Sequence, residues 1–317
     1  MSTVLQESAS DQPAPGRDGA AYTPLFSEPA LVRSLGVDGV YARTEIYEHV
    51  HARLSALISS LRPVGAQVLR FPPVMSRDQL EKAGYLSSFP NLLGCVCALH
   101  GSEEQIRAAA ARQSRDDHWT EALTPADLVL TPAACYPLYP LVAQQGPVPT
   151  AGRLYDVTCD CFRHEPSRHL NRLQSFRMRE FVTIGAPDFV TDFGKQWMTR
   201  IAVAFIERLG LSFEIAPASD PFFGRVGQVM AISQLQQSLK YELLLALPPG
   251  GQATACMSFN YHRDHFGEVW GLHETSGAMS HTGCVAFGMD RLTTGLFWKH
   301  GIELARWPES VQRALSL

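Results

Sequence analysis

Two segments do most to limit what this chain can fold into: Arg153 to Arg163 (RLYDVTCDCFR) and Leu173 to Ile184 (LQSFRMREFVTI). Both have the composition of strands, and the polar loop EPSRHLNR joins them. The pattern predicts one long antiparallel hairpin. Tyr241–Leu247, Ala253–Asn260 and Val269–Glu274 read as further strands, and Ala66–Val74 as another, closed by Pro72-Pro73. Helical patterns fall between clusters of strands and do not alternate with them one by one. That points to an α+β fold, an antiparallel sheet flanked by helices.

The helical patterns are clear. Ile46, Val50, Leu54, Leu57, Ile58 and Leu61 step by threes and fours behind Thr44, a fitting N-cap, and Pro63 ends the run. Ser76-x-x-Gln79 has the form of a capping box opening a short helix. Trp197, Ile201, Phe205 and Leu209 recur every four residues up to Gly210, which stands where a C-cap belongs. A last helix runs from Met289 to His300. Residues 1–22, rich in Ser, Ala, Asp, Gly and Pro, read as a disordered leader. A chain of 317 residues has room for about two average domains. With no repeat and no later linker, residues 23–317 read as one.

Composition excludes several classes. With 45% hydrophobic residues the chain can build a sizeable core. A net charge of −4 disfavours a partner held by bulk electrostatics, tRNA included. The seven cysteines are odd in number and lack a C-x-x-C pair, so a secreted disulfide framework does not fit. No apolar run approaches the ~20 residues of a membrane span, and no signal peptide opens the chain, so the expected compartment is the cytoplasm. Cys95 with Cys97, and Cys159 with Cys161, alternate on strands and are expected to be core or lining residues.

Two stretches carry chemistry. In the hairpin, Phe162-Arg163-His164-Glu165 is followed by Arg168, Arg172, Phe176, Arg177, Arg179 and Glu180. Guanidinium forks suit phosphate oxygens, and Phe176 offers a face for a purine; a salt-bridged hairpin tip has the same composition. Near the C-terminus, GCVAFGMDR (283–291) joins a strand to a helix at Gly288, with Arg291 in the first helical turn. A cation there is unfavourably placed against the helix dipole unless it serves an anion; the bland alternative is a packing glycine beside an exposed arginine.

In this order the two stretches resemble motifs 2 and 3 of the class II aminoacyl-tRNA synthetase catalytic domain: Phe162-Arg163-x-Glu165 matches f-R-x-E, and Gly288-x-x-Arg291 matches G-x-x-R. LRFPPV at 69–74 resembles the proline-bearing strand of motif 1. Over roughly residues 23–300 the chain is similar to the seryl-type cores and, more tightly, to the amino acid:[carrier protein] ligases, including ASDPFF (218–223), LKYELL (239–244) and SFNYH (258–262). The resemblance implies an ATP site of Arg163, Glu165, Arg172, Leu173, Phe176, Lys240, Glu242, Ala255, Cys256, Met257, Ser258 and Arg291. Arg163 would clamp the α-phosphate and the amino-acid carboxylate, Glu165 touch the adenine edge and Phe176 stack on it. Arg291 would hold the γ-phosphate, and Glu242 and Ser258 would hold Mg²⁺.

The resemblance also groups Cys135, Glu180 and Cys284 as Zn²⁺ ligands, although their spacing fits no zinc-knuckle pattern. Three ligands leave a tetrahedral position open, which the substrate's α-amine would take. It further implies a small amino acid, glycine or alanine, a homodimer through motif 1, and transfer to the phosphopantetheine thiol of a carrier protein. A helical insertion at about 217–240 is the expected docking element. The short leader and the closeness of motif 3 to Leu317 lead to the expectation that tRNA, which synthetases grip with an N-terminal arm or an anticodon-binding domain, is a poor acceptor. Another acceptor, a tRNA or a protein lysine, and a non-catalytic regulatory paralogue are the competing readings. His262, His265, His273 and His281 do not form the helical H-E-x-x-H pattern and read as structural or substrate-lining.

Overall fold

A computed structural model describes residues 31–113, 119–245 and 253–317; the leader expected at 1–22 lies outside them. The sequence hairpin is the centre of the molecule. Strands β7 (Arg153–Phe162) and β8 (Ser175–Gly185) pair antiparallel along their whole length. Around them lies a seven-stranded sheet in the order β3-β7-β8-β12-β11-β10-β9. It is completed by β3 (Gln67–Arg70), β9 (Phe213–Pro217), β10 (Lys240–Leu245), β11 (Thr254–Arg263) and β12 (His281–Gly288). Every pairing is antiparallel except β3 with β7. A ribbon of β1 (Val32–Val37) and β2 (Val40–Arg43) and a three-stranded sheet, β4 (Val74–Ser76), β6 (Leu123–Leu130) and β5 (Cys95–Leu99), stand apart.

Side chains alternate across the sheet. One face carries Phe181, Val285, Phe287, Phe259, Met257 and Leu243 and is covered by helices α1 (Glu45–Ser60), α6 (Pro187–Ile201), α9 (Met289–His300) and α10 (Glu309–Leu315). Leu54, Ile58, Trp197, Phe205 and Phe297 fill that layer. The opposite face presents Glu180, Cys284 and Ser258. It is partly closed by α5 (Leu138–Ala143) and α8 (His265–Trp270), with Tyr139 stacked on Phe266 at 4.1 Å. The smaller helices α2 (Arg77–Lys82), α3 (Tyr85–Ser88), α4 (Glu103–Gln113) and α7 (Gly224–Gln236) lie outside this sandwich.

The helical periodicities hold. Ser76 Oγ accepts from Gln79 N and caps α2. Thr44 precedes α1, but its hydroxyl donates to the Leu31 carbonyl and does not cap the helix. After α6 the chain continues as a π-helical turn, Ala202–Glu207, and ends at Gly210, whose φ of +60° favours glycine. Three expectations need correction. Ala66–Val74 is two strands in two different sheets, because Pro72-Pro73 breaks the ladder and redirects the chain. Val269–Glu274 is the end of α8 and a loop: Gly271 at φ +65° terminates the helix, and two isolated bridges follow, His273 to Met279 and Glu274 to Val148. Cys95 and Cys97 are exposed, not core residues: the β5–β6 ladder shifts register between them.

A buried carboxylate ties the helical layer to the sheet. Asp290, in the first turn of α9, accepts from Arg43 Nε at 2.8 Å, Arg177 Nη2 at 2.8 Å and the Arg177 backbone N–H at 2.6 Å. Tyr47 of α1 donates to the Asp290 carbonyl at 2.9 Å. Burial alone would raise the carboxyl pKa, but the two guanidiniums outweigh it and hold it below the ordinary aspartate range. Asp290→Asn leaves two cations without their counterion and should cost about 3–5 kcal/mol in a urea titration at pH 7. A depressed folded pKa stabilises above the unfolded value of ~3.9 and is lost as pH falls through the folded value. The gap between wild type and variant should therefore be flat from pH 5 to 8 and shrink below pH 4. A gap that persists in acid would contradict the assignment.

Candidate active site

The open sheet face and the loops beyond it enclose a cavity of about 240 Å³. Arg163, Glu165, Leu173, Phe176, Lys240, Glu242, Ala255, Cys256, Met257, Ser258 and Arg291 all line it, as do Cys135, Glu180 and Cys284. Arg172 does not; it is exposed and pairs with Glu165 at 3.4 Å. The two arginines on β8, Arg177 and Arg179, share one strand parity, opposite to that of Phe176 and Glu180. Arg179 turns to the helical face, where it binds Asp156 and the Ser55 carbonyl of α1, and Arg177 reaches Glu48 and Asp290. Their pattern looked like a phosphate clamp, but both are consumed in structural ion pairs. Arg168, exposed at the hairpin tip, pairs with Asp38.

Arg163 and Arg291 differ from them. Among the described residues neither has a carboxylate partner. Arg163 Nε donates to the Pro132 carbonyl at 3.0 Å, with its guanidinium 5.5 Å from the Phe176 ring centre. Arg291 donates to the Asn171 and Ala255 carbonyls, each at 2.7 Å. Burial, followed by repulsion from Arg163, pulls the Arg291 pKa down. Two guanidiniums on one cavity, neither in ion-pair contact with a carboxylate among the described residues, can receive an anion, with Glu165 lining the same cavity and acting on Arg291. Glu242 and Ser258 stand directly opposite each other on β10 and β11. Lys240 Nζ sits 2.7 Å from Asp220 and 3.0 Å from Glu242. Burial disfavours the Lys240 charge, but both carboxylates outweigh it and its pKa rises.

Strand register also builds the sulfur-containing corner. Glu180 pairs with Ala286 and Val182 with Cys284, so Glu180 and Cys284 are diagonal neighbours on one face. Cys135, just before α5, completes the group, and its backbone N–H donates to Glu180 at 3.0 Å. One ligand atom from each of the three lies within 4.8 Å of the others, and all three residues are buried. The donor set fits a metal. Burial raises the Glu180 pKa, and although the hydrogen bond between the cysteines favours the Cys135 anion, burial and Glu180 raise that thiol as well. At Cys284 the Cys135 hydrogen bond and burial both raise it. Three acids crowded without a cation resist ionisation; a divalent ion removes that penalty, and thiolates select Zn²⁺ over Mg²⁺. The buried Tyr139 hydroxyl lies beside Cys135 with no hydrogen-bond partner of good geometry, as expected of a donor waiting for a thiolate.

The sequence reasoning missed two residues here. Tyr139, behind the cavity wall, is one. Asn260, on the wall, is the second: its side-chain N–H donates to Ser258 Oγ at 3.0 Å and Cys284 Sγ at 3.3 Å. His262, expected to be structural or substrate-lining, does line the cavity, with Nδ1 3.1 Å from Thr282 Oγ1 and its pKa pulled down to about 4 by burial. The alternation of Ser258, Asn260 and His262 in SFNYH was the available signal.

The fold and the site together define a class II aminoacyl-tRNA synthetase-like catalytic core. The solved structure of the Methanopyrus kandleri seryl-tRNA synthetase in complex with tRNASec is similar at TM-score 0.75 over 90% of this chain, with 22% identity. A prolyl-tRNA synthetase of Cryptosporidium parvum is similar at TM-score 0.58 over 86%. The chain spans 58% and 50% of those chains. No protein-family profile matches it. Among curated proteins it is 60% identical over 287 residues to amino acid–[acyl-carrier-protein] ligase 1 of Bradyrhizobium diazoefficiens, covering 90% of this chain and 88% of the relative. It is 55% identical over 317 residues to ligase 2 of the same organism, covering 93% of that relative. A type-2 serine–tRNA ligase of Methanococcus aeolicus is 31% identical over 80% of this chain and 50% of its own length. The chain belongs to the amino acid–[acyl-carrier-protein] ligase family.

Proposed function

We propose that the protein uses ATP to convert a small amino acid, glycine or alanine, to its aminoacyl-adenylate and then transfers the aminoacyl group to the phosphopantetheine thiol of a carrier protein. The observation that carries this reading is the pair of guanidiniums, Arg163 and Arg291, that line the same cavity as Cys135, Glu180 and Cys284 with no carboxylate in ion-pair contact among the described residues. In the first step a carboxylate oxygen bonds to the α-phosphorus and the bond to pyrophosphate breaks. Arg163 neutralises the α-phosphate and the entering carboxylate, and Arg291 binds the γ-phosphate. Phe176 stacks on the adenine and Glu165 takes its edge; Glu242 and Ser258 would hold Mg²⁺, which would supply charge neutralisation for the phosphates. Catalysis of this kind is mainly positioning and charge stabilisation. Zinc on Cys135, Glu180 and Cys284 would supply a Lewis-acid position for the neutral α-amine. In the second step the carrier thiolate attacks the carbonyl of the mixed anhydride and AMP leaves, so no nucleophilic side chain is needed.

Amino-acid-dependent pyrophosphate exchange tests the first step. Exchange with glycine or alanine should disappear on zinc chelation and in Cys135→Ser, and Arg163→Ala should lower kcat/KM by about 10²–10³. No exchange with any amino acid in a zinc-loaded, folded sample would move the reading to a regulatory paralogue.

Helix α7 supports carrier docking. It falls in the insertion expected at 217–240 and exposes Val226, Val229, Met230, Ile232 and Leu235, with Val226 at 75% and Val229 at 67% exposure. An apolar patch of this kind marks a protein interaction surface. Val229→Asp should leave pyrophosphate exchange unchanged and lower aminoacyl transfer to holo carrier protein about tenfold or more. Equal transfer by both proteins would remove α7 from the docking surface. Total tRNA offered beside the carrier separates the two acceptors.

The dimer expectation has its own support. β3 is an edge strand of the large sheet, and Val68 on it and Val64 before it are 56% and 98% exposed. Such an edge is normally covered, and a C2 pairing through the motif 1 region covers it. Sedimentation equilibrium should give twice the monomer mass at micromolar concentration; a monomer would contradict the pairing.

A further inference from the structure

Strands β11 and β12 pair in regular register from Met257–Phe287 to Tyr261–Gly283, and the next pair is Arg263–Thr282. His262 is therefore an extra residue, a bulge, on β11. Arg263, which follows it, has φ +54°, an uncommon conformation for a residue with a side chain. Bulges beside active sites re-aim side chains, and here the side chain re-aimed is the His262 imidazole. Its ring sits edge-on to Phe266 at 5.1 Å and to Tyr139 at 6.4 Å, on the cavity wall. Nδ1 is 3.1 Å from the hydroxyl of buried Thr282, and Nε2 faces Cys284 Sγ at 3.9 Å. From β11 itself Asn260, the cross-strand partner of Cys284, donates to the same sulfur. Nε2 lies outside the compact group formed by Cys135, Glu180 and Cys284 and is not one of its ligand atoms.

We propose that His262 is a positioning residue for the Cys284 thiolate: Thr282 donates to Nδ1 and so fixes the hydrogen on Nε2, which points at the sulfur. With Asn260 it forms a pair of N–H donors that hold one zinc ligand in orientation and lower the charge density on its sulfur. Residues that hydrogen-bond to metal ligands typically change metal affinity 10–100-fold when removed. The β11 bulge and the left-handed Arg263 are then accounted for by the aim of a single ring.

The inference rests on the zinc reading above, so the experiment measures metal directly. Zinc affinity is determined by competition with a chromophoric chelator, and the cobalt(II)-substituted proteins are compared by their thiolate-to-cobalt absorption. His262→Ala should lose 10–100-fold in zinc affinity and shift the charge-transfer band to lower energy, with the metal-free melting temperature unchanged. His262→Gln, whose amide N–H can reach the same place, should recover most of the loss. Thr282→Val, which keeps the ring but frees its tautomer, should lose less than the alanine variant and guards against a folding artefact. Wild-type zinc affinity and an unshifted band in both His262→Ala and Thr282→Val would overturn the role of His262 alone. A wild type that neither retains zinc nor gives a thiolate-to-cobalt band would overturn the zinc reading and this inference with it.

Discussion

The register of the antiparallel strands β7, β8, β12, β11 and β10 is the constraint on which the rest depends. Because side chains alternate with a period of two, a slip of one residue would exchange the two faces of a strand. In the observed register Phe181, Val285, Phe287 and Phe259 fall on the helical side, where Leu54, Trp197 and Phe297 pack against them. The same register puts Glu180 diagonal to Cys284, Cys284 opposite Asn260, and Ser258 opposite Glu242. Burial of the aromatic layer thus fixes the polar layer. At about 25 cal/mol per Å² of apolar surface, several fully buried aromatic rings hold the register far more strongly than contacts among the site residues do.

The arginines show how that constraint sorts identical side chains into different work. Arg177 and Arg179 are neighbours of Phe176 and Glu180 in sequence, yet they serve the packing. Arg179 pairs with the buried Asp156, and Arg177 shares Asp290 with Arg43. Arg163 and Arg291 line the cavity, bonded to backbone carbonyls and with no ion-pair partner among the described residues. Asp290 connects the two groups, because the residue that binds the structural arginines immediately precedes Arg291 on α9. Its carboxylate neutralises Arg43 and Arg177, while the next side chain on the helix, Arg291, lines the cavity.

Much of this was legible in the sequence, and the exceptions have physical causes. The hairpin strands, α1, α6 and α9 were readable because their apolar periods are long and their ends carry Pro, Gly or a polar start. Val269–Glu274 was misread since a short apolar run has no period to separate a strand from a helix end, and Gly271 decides it through a conformation that composition does not reveal. Cys95 and Cys97 have the alternation of a buried face, but whether another layer lies over that face is a tertiary fact. The grouping of Cys135, Glu180 and Cys284 could not come from spacing, because three separate elements deliver them. Resemblance supplied the group, and strand pairing explains it. The His262 bulge left no trace at all, since one extra residue in a strand changes neither composition nor apparent alternation.

Under the proposed function, the chemistry and the choice of acceptor reside on parts of very different rigidity. The sulfur corner and the anion-binding arginines stand on central strands and on α9, enclosed by buried aromatic rings. The apolar face offered to a partner is on α7, a helix with only Gly227 buried. The two are connected by a short polar chain: Gln234 of α7 bonds both the backbone N–H and the carboxylate of Asp220, Asp220 bonds Lys240, and Lys240 bonds Glu242 in the cavity. A core arranged this way can keep its activation chemistry while the element facing the acceptor changes. The fold itself is shared with tRNA ligases about twice the length of the matched region.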